Sequence, residues 1–399
     1  MMWRYPVSQS WRFLMSRLRT IHRRVCVIAA LHLIAGAVIG GSAATSSAQE
    51  TARPPILGSG AGQASSSSTI PNDGPVPLRL AQAQVGRPTE KITFLLDFTP
   101  YGKHAPFFAA LDKGFWKDAG FDVTIVKGEG SATTISSYAA GAVDFAFSDT
   151  PTLILARSKG ALIKVAGVIH DKSLYAFGTL EENNIKTPQD LKGKRIGSSV
   201  GDASRVMFPA FAKLNGIDPD SVRWVDMTPP ARAASLMLGQ VDAVVLFLTE
   251  GPTFSAKAKE VGKHWKVFPY ADYGLDLYSH GLLVRDDLIA NQPDRAKRFI
   301  EATMKAWAWS IENPQEALAI FLKHNPAVDP DQAREHFRIA IKHLLTDTAK
   351  REGIGYIDAE KMRRTVDFVS QYFNIKGVSV DDVYTNQFTP KLFPKETAF

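Results

Sequence analysis

The chain has 399 residues, 45% of them hydrophobic and 22% charged, which is ordinary for a globular protein large enough for two lobes. Its formal net charge of +7 is concentrated at the N-terminus, where six arginines and no acidic residue precede position 49; without those six charges the remainder is +1. A nucleic-acid-binding domain normally shows a concentrated basic face. We therefore expect no nucleic-acid partner.

The N-terminus is typical of an export signal. An arginine-rich start precedes the apolar run Val25 to Ile39, and small residues follow up to position 48. We predict a cleaved signal peptide over 1–48 and hence a periplasmic protein. Cleavage after Ala44 and export by the twin-arginine route, suggested by Arg23-Arg24, stay open. A retained membrane anchor is the alternative, but roughly 15 apolar residues are short of the ~20 that span a bilayer.

Residues 49–88 are rich in Ser, Gly, Ala and Pro. Such a segment buries too little apolar surface to offset its ordering entropy, so we predict a disordered linker. The only cysteine, Cys26, lies within the predicted signal. The mature chain therefore needs no disulfide in an oxidising compartment.

From Lys91 onward, predicted strands and helices alternate, which indicates an α/β fold. Ile92 to Leu96 predicts a buried strand, Pro106 begins a helix, and Phe121 to Ile125 alternates as a second strand. Later strands are predicted at Val143–Phe147, Ile163–Ile169, Arg195–Ser198, Arg223–Asp226, Val241–Leu246 and Tyr278–Val284, with long helices from residue 293 onward.

The loop after the first strand carries residues suited to bind a flat polar ligand. It lies at the carboxyl end of a predicted parallel strand, where open α/β sheets bind small molecules. Asp97, Phe98, Tyr101 and His104 could supply a stacking face and polar contacts. The alternative is structural: a capping Asp, core aromatics and a buried His.

Two further strand ends carry polar residues. Ser148 and Asp149 follow a predicted strand and precede a helix, so Asp149 is either a ligand contact or a helix cap. A second helix start could bind an anionic or electron-rich group through its free amides, or could simply be capped. That start comprises Gly201, Asp202, Ala203 and Ser204.

A short internal repeat supports two lobes. The pattern Ser-x-x-x-Gly-x-Val-Asp occurs at 137–144 and again at 235–242, and both copies are typical of a helix end, a glycine stop and a core strand.

The predicted lobe boundaries follow from this pattern. The first lobe is expected over 89–182 plus 281–399 and the second over 183–280, with hinge crossings near Leu180 and Tyr278. Tyr278 and the neighbouring His280 are further candidates for ligand contact.

The first loop also carries a family resemblance. Leu96-Asp97-Phe98-x-Pro100, then His104, then Ala110-x-x-Lys113-Gly-Phe-Trp116 resembles the thiamine-pyrimidine branch of the solute-binding proteins of ABC importers. Relatives in that family include nitrate, sulfonate and taurine binders and fungal pyrimidine synthases. The likeness runs from about Lys91 to about Pro390.

The resemblance implies a two-lobed periplasmic binding protein fold of type II, each lobe a mainly parallel sheet flanked by helices. It implies a monomer without a cofactor that binds a small molecule and delivers it to a permease and ATPase. By the same resemblance, Glu250 accepts a hydrogen bond from an amino group of the ligand ring. The best-supported ligand is a thiamine pyrimidine precursor; sulfonates, nitrate, flavins and aromatic carboxylates stay open.

Two enzyme alternatives are weighed against binding. The fungal synthases carry a Lys, a His and a cysteine-rich motif, where this chain has Ser148, Thr152 and Leu277–Gly281, so synthase activity is not expected. Gly197-x-Ser199-x-Gly201 matches a nucleophile elbow, with Asp242 and either His264 or His280 downstream, but this short pattern is equally expected in a turn. A binding module that serves a sensor is a third possibility.

A metal site is not expected from the sequence. The histidines are scattered and no HExxH occurs. His336 and His343 are predicted to lie on one exposed helical face.

Overall fold

The computed structural model describes residues 89–397, which form two five-stranded sheets flanked by helices. The predicted signal peptide, linker and Cys26 lie outside the described residues. Within that range the strands are β1 (Glu90–Leu95), β2 (Phe121–Val126), β3 (Phe145–Asp149), β4 (Ile163–Val168), β5 (Tyr175–Leu180), β6 (Arg195–Ser198), β7 (Arg223–Asp226), β8 (Ala243–Phe247), β9 (Trp265–Pro269) and β10 (His280–Arg285).

The helices lie mainly between the strands and after β10. They are α1 (Ala105–Asp112), α2 (Phe115–Asp118), α3 (Ser131–Ala139), α4 (Thr150–Arg157), α5 (Ala203–Leu214), α6 (Ala231–Met237), α7 (Gly251–Glu260), α8 (Asp286–Asn291), α9 (Pro293–Glu312), α10 (Pro314–His324), α11 (Pro330–Leu344), α12 (Asp347–Glu352), α13 (Ala359–Phe373) and α14 (Val380–Val383). No helix among these described residues is long and apolar enough to cross a membrane.

Both sheets have the same strand arrangement. The first runs β2-β1-β3-β10-β4 and the second runs β7-β6-β8-β5-β9. In each sheet four strands are parallel and one is antiparallel, namely β10 in the first and β5 in the second. The antiparallel strand is in each case the first one formed after the chain has crossed from the other sheet. The predicted two-lobed, mainly parallel α/β fold is confirmed.

The internal repeat occupies equivalent positions in the two lobes. Gly141 and Gly239 adopt φ values of 73° and 69°, in the left-handed region that favours glycine. Three residues later, the Asp144 carboxylate accepts from the Thr93 amide at 2.8 Å, and the Asp242 carboxylate accepts from the Arg195 amide at 2.8 Å. Each Asp thus fixes the central strand of its sheet, β3 or β8, to the neighbouring strand, β1 or β6.

The first crossing lies earlier than the sequence suggested. β5 pairs with β8 and β9 of the second sheet, so the chain changes sheets over 169–174 and not near Leu180. The pattern did not reveal β5 or β9, because no helix separates β4 from β5 and the largely polar helix α7 precedes β9. The second crossing, over 270–279, contains Tyr278 as expected.

Each lobe has its own apolar core, and the C-terminal helices complete both. On the first sheet, the Phe145 and Phe299 rings stack at 3.8 Å, and Trp307 of the same helix, α9, is fully buried. Helix α13 reaches the second lobe, where Lys213 donates to the Tyr372 carbonyl at 3.2 Å. The chain after β10 therefore packs against both lobes.

Candidate functional site

The two lobes touch at the carboxyl ends of their central strands. Ala132 of α3 donates its amide to the Gly201 carbonyl at 3.1 Å, and the Ser199 hydroxyl donates to the Glu129 carbonyl at 3.2 Å. A Cβ atom on Gly130 would lie 2.4 Å from the Gly201 carbonyl carbon. The described residues are thus in a closed arrangement, and we refer to the buried polar region between the lobes as the interlobe site.

Asp97 is the centre of the first-lobe half of this site. It follows β1 and is fully buried. Its carboxylate accepts from Lys103 Nζ at 2.7 Å and contacts His104 Nε2 at 2.8 Å, and His280 Nε2 lies 3.0 Å away in an ion-pair contact. Burial alone would raise the pKa of Asp97, but the charges of Lys103 and His280 and the hydrogen bonds from the two histidines hold it well below its usual value.

His280 reaches Asp97 because of strand register. It is the first residue of β10 and pairs with Asp149, the last residue of β3. Because β10 runs antiparallel to β3, its first residue lies beside the carboxyl ends of the parallel strands. The other ring nitrogen of His280, Nδ1, contacts the Ser279 hydroxyl at 3.0 Å.

His104 orients the Asp97 carboxylate. Its Nδ1 accepts from the Tyr101 amide at 3.0 Å, so Nε2 carries the proton that points at Asp97. Burial lowers the pKa of His104 to about 4, despite its hydrogen bond to Asp97. The imidazole is therefore neutral at pH 7, and the structural alternative accounts for its buried contacts.

Arg232 is the centre of the second-lobe half. It lies in the first turn of α6, is fully buried, and donates to the Val245 carbonyl at 2.7 Å. Its guanidinium pairs with the Glu250 carboxylate and lies 3.3 Å from Asp202 Oδ2. Two carboxylates thus share one cation. Burial raises the pKa of Asp202 to about 6, and the neighbouring Glu250 adds to the effect while Arg232 opposes it.

Aromatic side chains join the two halves. The Phe98 ring lies 4.9 Å from the Arg232 guanidinium, and the Tyr101 ring stacks on Phe98 at 6.2 Å. Burial and the Glu250 charge raise the pKa of Tyr101 to about 12. From the second lobe, the Phe247 ring lies 4.5 Å from the His280 ring. Flat hydrophobic faces and charged groups therefore converge, as in sites for small polar ring compounds.

Asp149 is occupied by structural contacts. Its carboxylate accepts from the Thr152 amide at 2.9 Å, from the Thr152 hydroxyl at 2.6 Å and from the Tyr175 hydroxyl at 2.5 Å. It therefore caps α4 and ties the first lobe to β5, and burial raises its pKa. Ser148 donates to the Ser131 carbonyl at 3.1 Å.

The start of α5 is capped. Asp202 Oδ1 accepts from the Ser204 amide at 2.8 Å, and the Ser204 hydroxyl donates to the Leu246 carbonyl at 2.9 Å. Ala203 is buried in the core, and Gly201 serves the lobe contact described above. Capping therefore accounts for this helix start, and only the second carboxylate oxygen of Asp202 faces Arg232.

Tyr278 is not brought to this cluster. Its hydroxyl accepts from the Asp358 amide at 2.8 Å, its amide donates to Thr365, and the Lys361 ammonium lies 4.8 Å from its ring. All three partners lie on or at the start of α13. Tyr278 thus anchors the second crossing against the C-terminal helices.

Three residues of the interlobe region were missed by sequence reasoning. Arg232 lies in a short helix of small and apolar residues, and Lys103 lies close to aromatic residues in the sequence. A single cation in such surroundings could have indicated a buried charged residue. His170 lies in the first crossing, with its ring 5.3 Å from that of His280.

His336 is buried, contrary to the predicted exposed face. It lies on α11, where Nδ1 accepts from the Gly102 amide at 3.4 Å and Nε2 contacts the Thr253 hydroxyl at 3.0 Å. Burial lowers its pKa to about 3. The reason for the error is tertiary: α11 packs its His336 face between the first-lobe loop and α7 of the second lobe.

The residues of the hydrolase alternative are not assembled. Ser199 donates to Glu129, Asp242 holds the Arg195 amide, and His264 lies exposed beside Glu182. His280 is engaged by Asp97 and Ser279. No base therefore contacts the Ser199 hydroxyl among the residues that the structure describes.

Several buried polar atoms in 89–397 have no hydrogen-bond partner there. In the interlobe site these include the Ser131 and Thr249 hydroxyls, both ring nitrogens of His170, and Nε2 of His280, which has only its ion-pair contact with Asp97. Buried polar atoms without partners are costly unless something else binds them. In the same range no group of three or more His, Cys, Asp or Glu residues could hold a metal ion.

Comparisons with known proteins agree with this architecture. A family model described as NMT1/THI5 like matches residues 102–317, just over half of the chain. The chain is 26% identical to the formylaminopyrimidine-binding protein of Halalkalibacterium halodurans, over 71% of this chain and 86% of that protein. It is also 26% identical to the 4-amino-5-hydroxymethyl-2-methylpyrimidine phosphate synthase of Candida albicans, over 63% of this chain and 76% of the enzyme.

Among solved structures, the alkanesulfonate-binding protein SsuA of Xanthomonas axonopodis pv. citri, bound to MOPS, superposes with a TM-score of 0.56. The identity is 13%, and the match covers 75% of this chain and 99% of that one; at this identity the likeness concerns the fold. The chain has the two-lobed fold of periplasmic binding proteins and belongs to the NMT1/THI5-like family.

Proposed function

We propose that this protein is the periplasmic solute-binding component of an ABC importer and that it captures a small heteroaromatic compound between its lobes. The observation that carries the proposal is the interlobe site itself. Charged and aromatic side chains from both lobes meet there in a buried region, and polar atoms remain unpartnered within it. Such a region suits an enclosed polar ring.

Binding, and not bond breaking, is the activity that the contacts support. His104 and Asp97 are bound to each other and to neighbouring groups, and no base contacts the Ser199 hydroxyl within residues 89–397. The synthase named among the relatives belongs to the same family, but this chain has Ser148 and Thr152 where the resemblance places the synthase Lys and His. Ser148 and Thr152 make only structural contacts here.

A pyrimidine with an amino group is the ligand that the charges favour. Asp202 and Glu250 together carry one more negative charge than Arg232 can balance. A buried excess of carboxylate is stabilised by a hydrogen-bond donor. An amino-substituted ring supplies that donor and stacks on aromatic side chains, whereas the sulfonate group itself supplies neither. The formylaminopyrimidine named for one relative has this chemistry, which supports a thiamine pyrimidine precursor.

The mechanism follows from the two crossings. Segments 169–174 and 270–279 connect otherwise separate sheets, so bending there would open the interlobe site. A ligand that contacts Phe98 in one lobe and Glu250 in the other binds the closed form more tightly and shifts the population toward it. A permease and its ATPase would then receive the closed monomer.

Thermal-shift and calorimetric titration of the mature protein tests the proposal. We expect aminopyrimidines to bind more tightly than sulfonates, nitrate, flavins or aromatic acids, with about 2.7 kcal/mol of stabilisation at a ligand concentration one hundred times Kd. Failure of every aminopyrimidine to bind would refute the ligand class. Release of a chemically altered product would refute binding as the activity.

Glu250→Gln should weaken aminopyrimidine binding about tenfold, because it removes the excess negative charge but keeps the side-chain shape. Glu260→Gln is the matched control, since Glu260 is an exposed residue of α7 that pairs with Lys257. Unchanged affinity in a folded Glu250→Gln protein would remove Glu250 from the ligand contacts.

A further inference from the structure

Lys103 is a buried cation whose hydrogen-bonding capacity is not filled. Its side chain is 1% exposed, and an ammonium has three N–H donors. In the described part of the chain its only hydrogen-bond acceptor is Asp97 Oδ2, at 2.7 Å. Two donors are left without a protein acceptor in a region closed to bulk water, an arrangement that is costly unless another group accepts from them.

The Lys103 ammonium faces the second lobe. It lies 5.0 Å from the centre of the Phe247 ring, and Phe247 donates its amide to Glu250 at 3.2 Å. Lys103 and Glu250, the partner of Arg232, therefore both border Phe247, Lys103 at its ring and Glu250 at its amide. The Lys103 side offers donors, and the Glu250 side offers acceptors.

His170 also has unused hydrogen-bonding capacity in the first-lobe half of the site. Both of its ring nitrogens are buried without hydrogen-bond partners, and its ring lies 5.3 Å from His280, which contacts Asp97. One nitrogen of a neutral imidazole is always a donor. The first-lobe half of the site thus holds unused donors on two different elements.

We infer that Lys103 binds an oxygen acceptor on the ligand and thereby selects amino-substituted rings that also carry such a group. This inference rests on the proposed function and narrows its ligand class to amino-heteroaromatics with a hydroxymethyl, formyl, oxo or carboxylate oxygen. The amino group faces Asp202 and Glu250, and the oxygen lies at Lys103. The ring is held between Phe98 and Phe247.

A matched ligand pair tests the inference. 4-Amino-5-hydroxymethyl-2-methylpyrimidine and 4-amino-2,5-dimethylpyrimidine differ mainly by one oxygen, and a 5-carboxylate analogue separates a charged from a neutral acceptor. Calorimetry should show the wild-type protein binding the oxygen-bearing compounds at least about tenfold more tightly. In Lys103→Met that ratio should fall to near one, while the dimethyl compound keeps its affinity.

Controls make each outcome decisive. Lys113→Met removes an exposed lysine paired with Glu316 at 2.8 Å and should leave the ratio unchanged. If Lys103→Met fails to fold because Asp97 has lost its cation, Asp97→Asn/Lys103→Met removes both charges and should show the same loss of ratio. A ratio that persists in either folded variant contradicts the role of Lys103. Binding of both pyrimidines by the wild type without preference also contradicts it, whereas no pyrimidine binding at all refutes the proposed ligand class.

Discussion

The interlobe site is defined by individual side chains whose charged groups are buried. Asp97 in the first lobe is surrounded by Lys103, His104 and His280, whereas Arg232 in the second lobe is shared by two carboxylates. Neither arrangement is explained by stability alone, because desolvation can exceed the Coulomb gain of a buried ion pair. Their position between two lobes fits the role in ligand recognition that we propose.

The pH dependence of stability should report the burial of Asp202. Its pKa is raised from 3.8 to about 6, so the folded state takes up a proton at a higher pH than the unfolded chain. The stability that protonation supplies is full below pH 3.8 and is lost as the pH rises through about 6. Asp202→Asn can still cap α5 but cannot take up this proton. Relative to the wild type, it should therefore lose about 2 kcal/mol more unfolding free energy at pH 4.5 than at pH 7.

Urea unfolding at the two pH values measures this difference. Asp218→Asn is the control, because Asp218 also caps a helical turn through its side chain but lies exposed. An equal pH difference in the wild type and Asp202→Asn would show that Asp202 titrates in the folded protein at its ordinary pKa.

At the scale of elements, α11 connects the first-lobe loop to the second lobe. Its residue Ala333 packs directly on Gly102, and His336 contacts both Gly102 and Thr253 of α7. The loop that holds Asp97 and Tyr101 is therefore fixed by a helix that follows all ten strands in sequence. We expect changes in this contact to alter the loop without touching a ligand group.

Gly102→Ala should destabilise the protein by about 1–3 kcal/mol, because overpacking forces neighbouring backbone to shift. A Cβ atom there would lie 2.0 Å from the Ala333 carbonyl oxygen, whereas one on Gly251 would meet nothing within 4 Å. Gly251→Ala is therefore the control and should change stability by less than about 0.5 kcal/mol. Denaturant unfolding of both variants checks this, and equal midpoints would contradict the tight loop–helix contact.

At the scale of the whole molecule, closure brings backbone against backbone. Gly130 in the first lobe has a φ of 141°, and a Cβ atom on it would lie 2.4 Å from Gly201 in the second. Close approach of this kind requires glycine. The lobes can therefore meet in the described arrangement only if position 130 stays without a side chain.

Gly130→Ala should shift the protein toward an open form and weaken ligand binding about tenfold or more, since the closed form becomes strained. Gly141→Ala is the control: it also has a positive φ but would meet nothing within 4 Å, so it adds backbone strain without a lobe clash. Distances between spin labels on exposed Ser136 and Asp220 measure opening. An unchanged distance distribution in Gly130→Ala would contradict this view of closure.

The local sequence pattern was sufficient to predict most of the strands and helices. The strands at Arg195–Ser198 and Arg223–Asp226 have their predicted bounds, because apolar alternation and flanking turns are set by neighbouring residues. The repeated Ser-x-x-x-Gly-x-Val-Asp pattern likewise predicted equivalent positions in two lobes. β5 was missed, since its partners β8 and β9 lie more than sixty residues away in sequence.

The sequence by itself determined the α/β class, the duplicated lobes and the family, because periodicity, glycine stops and the Asp97–His104 motif are local. Only the tertiary structure decided which polar residues meet. It placed Arg232 beside Glu250, joined Lys103 to Asp97, directed Tyr278 toward α13 and buried His336. The physical reason is that the charge state and partners of a buried group depend on long-range packing, which no stretch of neighbouring residues encodes.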